Sequence, residues 1–342
     1  MKKVLKKIFI DGFTGMTQGM FVTLIMGTAF VQIGTWIGGY IGAQFIIFGN
    51  IARLLTGAGI GVGVAAMFGA DSLVTVSAAI TGMLGAFHGL GSAALGNSGE
   101  PLGAFIAAYI AIEIGMLISQ KTSFSLILTP FASILSGALV GYFATPYITR
   151  FIYWIVGLAS YNVAASPIIG GIVVAVLFSL FAVMPLNLPA LAMSLGLSGV
   201  AAGAATIGVC CSMVGFAVSG YRDNKLGGVF AHGFGSAVLQ FPNVLKRPLI
   251  LIPSIISSAI LGTFGAALLK LSDTAYGAGT GSLVMIGQFE TWRCMVPGTP
   301  VPIVVIEIFL MHFLLPGLLC LAVSEVMRKL NWIKKGDMRL LH

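Results

Sequence analysis

The chain has 342 residues, 58% of them hydrophobic and only 8% charged, with a formal net charge of +8. A soluble domain carries about 25% charged residues, so these charges are too few to cover a soluble surface. The positive balance is no nucleic-acid signature either: the basic residues sit at the chain ends and in short loops rather than in one patch, and no nucleic-acid partner is expected.

The first twelve residues read as a basic amphipathic start, with Lys2, Lys3, Lys6 and Lys7. They lack a small-residue cleavage site and Asp11 interrupts them, so they do not read as a signal peptide. Apolar runs follow near 17–36, 40–55, 74–95, 101–119, 124–146, 165–185, 249–269 and 300–324. A crossing takes roughly 20 mainly apolar residues. These runs show no strict alternation, which favours helices over strands. Lipid cannot satisfy loose backbone groups, which excludes open irregular spans. Three further stretches are apolar but interrupted. Residues 57–70 carry Gly57, Gly59, Gly61 and Gly63; residues 191–220 carry Gly196, Gly199, Gly203 and Gly208; residues 277–299 carry Gly277, Gly279, Gly281, Gly287 and Pro297. Such segments point to discontinuous or re-entrant helices at a transporter's binding site. Close helix packing through small residues is the other reading. The expected fold is therefore all-α: one polytopic membrane domain over 1–342, with about eight to ten transmembrane helices and at least one re-entrant or broken segment. Arg328, Lys329, Lys334, Lys335 and Arg339 lie near the other end of the chain. The positive-inside rule then places both ends in the cytoplasm, in a cell membrane.

Cys210, Cys211, Cys294 and Cys320 form no CxxC and no zinc-ligand spacing. They read as packing residues, and neither a metal nor another cofactor is expected. No P-loop, GxSxG or HExxH motif supports an ATP-driven pump or a hydrolase.

An internal repeat is visible. His88-Gly89-Leu90-Gly91-Ser92-Ala93-Ala94-Leu95 recurs as His232-Gly233-Phe234-Gly235-Ser236-Ala237-Val238-Leu239, and Ala58-Gly59 matches Ala202-Gly203 at the same offset. The first copy is followed by Glu100, the second by Lys246 and Arg247. Flanks of opposite charge suit copies of opposite orientation, with halves at about 50–150 and 190–325. A repeat without a shared site fits the same pattern.

Ionisable residues inside apolar segments are costly and normally face a cavity or a partner. Glu113 and Glu307 are the deepest, in the matching contexts Ile112-Glu113-Ile114 and Ile306-Glu307-Ile308. Either each pairs with a polar neighbour or both face a substrate path. Glu100 follows a Gly/Ser/Asn turn and precedes Pro101, so helix capping accounts for it as well as substrate binding does. His88 and His232 are flanked by glycines that leave room for a ligand. Asn97 lies beside Glu100, and Phe87 and Phe234 beside the histidines are the nearest apolar platforms for a sugar. Asp71 and Asp273 read as loop residues.

The chain resembles the membrane component IIC of the bacterial phosphotransferase system, in its compact form that includes the perfringolysin regulator-type proteins. The resemblance is carried by Gly99-Glu100-Pro101-Leu102-Gly103-Ala104, Lys121-Thr122, Ile127-Leu128-Thr129-Pro130, the run from Gly196 to Thr206, Met213-Val214-Gly215-Phe216-Ala217 and Leu239-Gln240-Phe241-Pro242-Asn243. It covers about 50–325. It implies a permease for a sugar or polyol, a homodimer in the bilayer, and separate IIB and IIA proteins as phosphoryl donors. It also implies that Glu100 contacts the sugar and that His88 or His232 serves as the catalytic histidine beside the hydroxyl to be phosphorylated. The Glu-Pro element lies earlier here than in larger IIC proteins, and no IIA or IIB domain is attached. Two other functions fit the same chain: a phosphorylation-independent transporter of a small anionic or polar solute, and a membrane sensor or regulator.

Overall fold

A computed structural model describes residues 6–87, 94, 96–119, 121, 124–157, 163 and 166–340. Among them the chain is helical with no sheet. Two compact units form: residues up to Ile152 together with Pro185–Asn187, and Tyr153–Met184 together with Leu188 onward.

The first unit begins with α1 (Lys7–Ile37), a helix interrupted by π turns at Lys7–Gly12 and Phe21–Ile25. Its hydroxyls are satisfied within the helix: Thr14 donates to the Ile10 carbonyl at 2.6 Å and Thr23 to that of Gly19 at 2.7 Å. Such back-bonding leaves no hydroxyl unsatisfied in lipid, where no water competes. Gly38 and Gly39, with φ of 67° and 61°, end α1 in a conformation that side chains with a Cβ rarely adopt. The chain then returns as α2 (Gly39–Leu54), bends by 55° and continues as α3 (Thr56–Phe68). Residues 57–70 are thus largely helix, with the break at the start of the stretch.

Glycine fixes how these three helices meet. A Cβ at Gly27 would strike the Gly49 carbonyl, and one at Gly34 that of Gly42, so α2 lies against the second half of α1 with backbones in contact. Gly15 with Gly63 and Gly19 with Gly59 do the same between α3 and the first half. Close approach yields van der Waals contact, the main attraction left to helices in lipid. Asp71 caps α4 (Ser72–Ala86), accepting from the Ser119 hydroxyl and, at 3.0 Å, from the Val74 N–H. These two bonds hold its carboxyl below the usual carboxylate range. α5 (Pro101–Ile118) and α6 (Ser125–Gly157) follow. Leu126, Ile127 and Tyr147 of α6 are each 71% exposed, as lipid-facing side chains should be.

The second unit holds α7 (Pro167–Phe181), the short α8 (Leu188–Ser194), α9 (Gly199–Ser219), α10 (Tyr221–Phe230), α11 (Phe241–Lys246), α12 (Pro248–Leu269), the short α13 (Ala275–Thr280), α14 (Ile286–Met295) and α15 (Val301–Lys329). Its axis is α9, whose apolar window is 89% buried. The sequence marks 191–220 as interrupted throughout. The interruption is confined to 195–198, between α8 and α9, where Gly196 has φ of 63°, and 199–219 is one continuous helix. Gly203 and Gly208 are there for packing: a Cβ would collide with the carbonyls of Leu271 and Ala175. Cys210, Cys211 and Cys320 are buried and Cys294 is exposed.

Six helices are long and apolar enough to cross a membrane, or seven if the bent pair α2–α3 is one crossing, counted among the described residues. Two further apolar runs fold as helices of 15 residues, α4 and α7, about 22 Å long at 1.5 Å per residue.

The α9 packing predicts a sharp contrast between two glycines. Gly203→Ala forces a methyl onto the Leu271 carbonyl and should cost about 1–3 kcal/mol. Gly298→Ala meets nothing within 4 Å and should leave stability unchanged. Thermal melting of the detergent-purified variants reads the difference.

Candidate functional site

In the first unit the segment before α5 folds back onto the end of α4. Gly99, at φ of 65°, lets the Glu100 N–H reach the Ala86 carbonyl at 2.9 Å. Glu100 is extended, Pro101 takes the first helical position, and the half-buried carboxylate accepts the Leu102 N–H at 3.3 Å. This is a helix cap, and one long bond leaves most of the carboxylate's accepting capacity unused. Asn97 is exposed and accepts the Gly99 N–H at 3.1 Å. Ser98, 1% exposed, accepts from the Asn187 amide at 2.7 Å. Phe87 ends α4 and is buried. Phe87, Asn97 and Glu100 therefore share one corner of this unit. His88 lies outside the described residues, as does most of the first repeat copy.

Glu113 and Glu307 differ despite matched sequence contexts. Glu113 of α5 pairs with Lys7 of α1 at 2.5 Å and also bonds Tyr109, while Lys7 stands 4.5 Å from the Phe68 ring centre. A partner on another helix accounts for it. Glu307 of α15 has a buried Oε2 with no hydrogen-bond partner.

His232 belongs to the second unit, in a π turn, Ala231–Gly235, that follows α10. It is fully buried, with Nδ1 2.8 Å from the Gly228 carbonyl and Nε2 unpartnered. The carbonyl requires the proton on Nδ1, so Nε2 carries a lone pair. Phe234 is exposed and stacks on Phe230 at 5.9 Å.

A buried polar group of this unit centres on Asp273, which the sequence places in a loop. It does lie between helices, but it is 1% exposed. Asp273 and Thr274 pair antiparallel with Gly199 and Ser198, so the segment entering α13 crosses the start of α9. The carboxylate accepts from Thr206 of α9, from Thr291 of α14 at 3.0 Å and from the Thr274 N–H at 2.7 Å. Thr274 in turn donates to Glu290 at 2.9 Å, and Glu290 pairs with Arg293 at 3.0 Å. A Cβ at Gly277 would overlap the Asp273 carboxylate, so glycine is required there.

One turn further along the same faces, at i+4 on α9 and i−3 on α14, stand Cys210 and Gln288. The Gln288 amide lies 3.5 Å from the Cys210 sulfur and 3.2 Å from His312 Nδ1. Gln288 Oε1 and His312 Nε2 are buried without partners. Gln288 also lines a cavity of about 390 Å³ walled by Met285, Phe289, Trp292, Phe309 and Phe313. The link between α13 and α14 is strained: Gly281, Val284 and Met285 have φ of 54°, 42° and 61°, a region that a β-branched residue rarely enters. The glycine-interrupted stretch at 191–220 therefore contributes a helix break that meets the break between α12 and α13 at a carboxylate, and the stretch at 277–299 contributes Thr291. No local pattern in the sequence joins Asp273 to Thr206 and Thr291, because the three come from different elements.

Asp273 gives a clean stability test. Asp273→Leu leaves the Thr291 hydroxyl and the Thr274 N–H without an acceptor, at about 1–3 kcal/mol for each group left unsatisfied, while the Thr206 hydroxyl keeps the Ala202 carbonyl at 2.9 Å. Asp273→Asn keeps an acceptor oxygen and should retain most of the stability. Detergent melting temperatures separate the two, and equal melting would mean that the bonds do not hold the crossing together.

No curated protein matches the chain. One family model does, that of the phosphotransferase system EIIC, over residues 10–340. Nearly the whole chain is covered, including both units and every helix described above, so this multi-pass membrane protein belongs to the phosphotransferase system EIIC family, the permease component of that system.

Proposed function

We propose that this permease translocates a sugar or polyol and that a separate IIB protein, charged by a IIA protein, phosphorylates it. The observation that supports this most is the state of Glu100: a half-buried carboxylate at the break between two apolar helices, held by one 3.3 Å bond. Sugar hydroxyls are donors that a carboxylate with spare lone pairs binds through charge-assisted hydrogen bonds. Asn97 beside it adds an amide, and Phe87 an apolar face. In the transfer step a sugar hydroxyl attacks the phosphorus of the phosphoryl group on IIB. The new O–P bond forms as the bond to the IIB side chain breaks, and the hydroxyl proton passes to a histidine. His232, with Nδ1 committed to a carbonyl and Nε2 bearing a lone pair, has the state a proton acceptor needs; His88 is its repeat counterpart. Both termini then face the cytoplasm of a bacterial cell, where IIB docks.

A second reading is favoured by the Asp273 core. A buried carboxylate, two threonine hydroxyls, an amide and an imidazole with unused acceptors lie where two broken helices meet, beside an aromatic-walled cavity. Broken helices at a polar centre are how phosphorylation-independent carriers hold small polar solutes.

Glu100→Gln decides between them. It removes the charge but keeps the shape, so sugar binding to the purified protein should fall by tenfold or more with an unchanged melting temperature. If binding persists and is lost in Asp273→Asn instead, the second reading holds. The permease is also proposed to be a homodimer, as the family resemblance implies. Light scattering with detergent correction should give twice the 35.5 kDa chain mass; a single-chain mass would count against it.

A further inference from the structure

The chain beyond Lys329 folds back on the segment that follows α9. Ile333 and Met338 are its buried anchors, at 2% and 0% exposure. Around them the polar side chains of 223–243 hold the tail by its backbone. Asp223 accepts the N–H groups of Gly336 at 3.0 Å and Met338 at 3.2 Å. Asn224 donates to the Met338 carbonyl at 2.7 Å and accepts the Leu340 N–H at 2.8 Å. Gln240 and Asn243 donate to the carbonyls of Met338 and Arg339, both at 2.9 Å. A tail with this many tethers is a built part of the unit.

Between the tail and the start of α10 the fold leaves a cleft of about 540 Å³, lined by Tyr221, Arg222, Lys225, Arg328, Lys334 and Lys335 among others. Five of these six are cations. Glu325 is the carboxylate that pairs with them, shared between Arg222 at 2.8 Å and Arg328 at 3.8 Å. Asp223 and Asp337 are committed elsewhere, Asp223 to the tail backbone and Asp337 to the Lys334 N–H and Arg247. The cleft therefore carries an excess of positive charge.

Arg328 is the telling residue. Its side chain is 9% exposed, it donates to the Ser219 carbonyl at 2.9 Å, and its Nε stands 3.8 Å from Glu325 Oε1, too far for a hydrogen bond. A guanidinium held by one carbonyl and one long ion pair, in a cleft whose five cations outnumber that carboxylate, suits an anion with several acceptor oxygens. Lys225 forms the opposite wall with φ of 55° and ψ of −154°, a conformation that costs a non-glycine residue energy and is kept where the surroundings demand it.

We propose that this cleft is a binding site for a phosphate group, borne by an anionic phospholipid headgroup or by a soluble phosphate compound. Arg328 is the buried anchor, and Lys334 and Lys335 close over the group from the tail.

The test uses the full chain in neutral detergent with two probes, dioctanoyl phosphatidylglycerol and inorganic phosphate. Dioctanoyl phosphatidylcholine, which is zwitterionic, is the control. Binding is read by native mass spectrometry and by thermal shift, on the wild type and on Lys334→Gln/Lys335→Gln. Both lysines are exposed, and the backbone tethers of the tail do not use their side chains. Phosphatidylglycerol binding that weakens by about tenfold or more in the double variant supports the site with a lipid as its source. Binding of inorganic phosphate alone, weakened in the same way, supports it with a soluble source. Arg328→Gln should abolish either. Equal retention of phosphatidylglycerol and phosphatidylcholine, affinity unchanged in the double variant, or no binding of either probe would overturn the proposal.

Discussion

Backbone contact between helices is the constraint on which the rest of this molecule depends. In lipid there is no hydrophobic gain from bringing two apolar helices together, since the surrounding acyl chains are as apolar as leucine. Attraction must come from dispersion, which is short-ranged and collective. Glycine removes the side chain that would hold two backbones apart. In the first unit four glycine pairs between α1 and the bent pair α2–α3 achieve this, and in the second Gly203 and Gly208 bring Leu271 and Ala175 against α9.

The same geometry decides which polar groups are tolerated. Most threonine and serine hydroxyls return their hydrogen to a carbonyl of their own helix, as Thr28 does to Leu24 at 2.7 Å. Glu113 is neutralised by Lys7. Asp273 is different in kind. Its ligands come from α9, α14 and the adjoining backbone, so it fastens the break between α12 and α13 to two helices. Removing it would loosen elements far apart in sequence, whereas removing Lys7 would affect two neighbouring helices. Beside this fastening, Gln288 and His312 retain acceptor atoms that are buried and unused, and Glu307 of α15 has one too. Protein interiors leave few such atoms.

The two candidate centres answer to different kinds of argument. Glu100 stands out through its likeness to the Glu-Pro element of the family, and its local structure is an ordinary helix start with a carboxylate only lightly engaged. The Asp273 core stands out through geometry alone. A charge at the start of a spanning helix and a charge at the crossing of two broken helices are both economical places for a carboxylate in a membrane, the first because of the helix dipole, the second because hydroxyl donors surround it.

What the sequence determined by itself follows from properties that are local. Long apolar runs with 8% charged residues leave no alternative to membrane helices, and the ends of α5, α12 and α15 fall within a few residues of the ends of the apolar runs, because Pro101, Pro248 and Pro300 sit where a helix tolerates proline. The Glu-Pro element and its neighbours likewise sufficed to recognise the family. The function of each glycine was not legible. Gly196 and Gly203 are equivalent in composition, yet one turns the chain and the other admits a carbonyl, and only the position of Leu271 in space distinguishes them. The equal contexts of Glu113 and Glu307 ended differently because a lysine more than a hundred residues away reaches one of them. Asp273 looked like a loop residue because its backbone is one. Its burial depends on Thr206 and Thr291 arriving from other helices, and such an encounter is decided by tertiary packing, where direct contact replaces order along the chain.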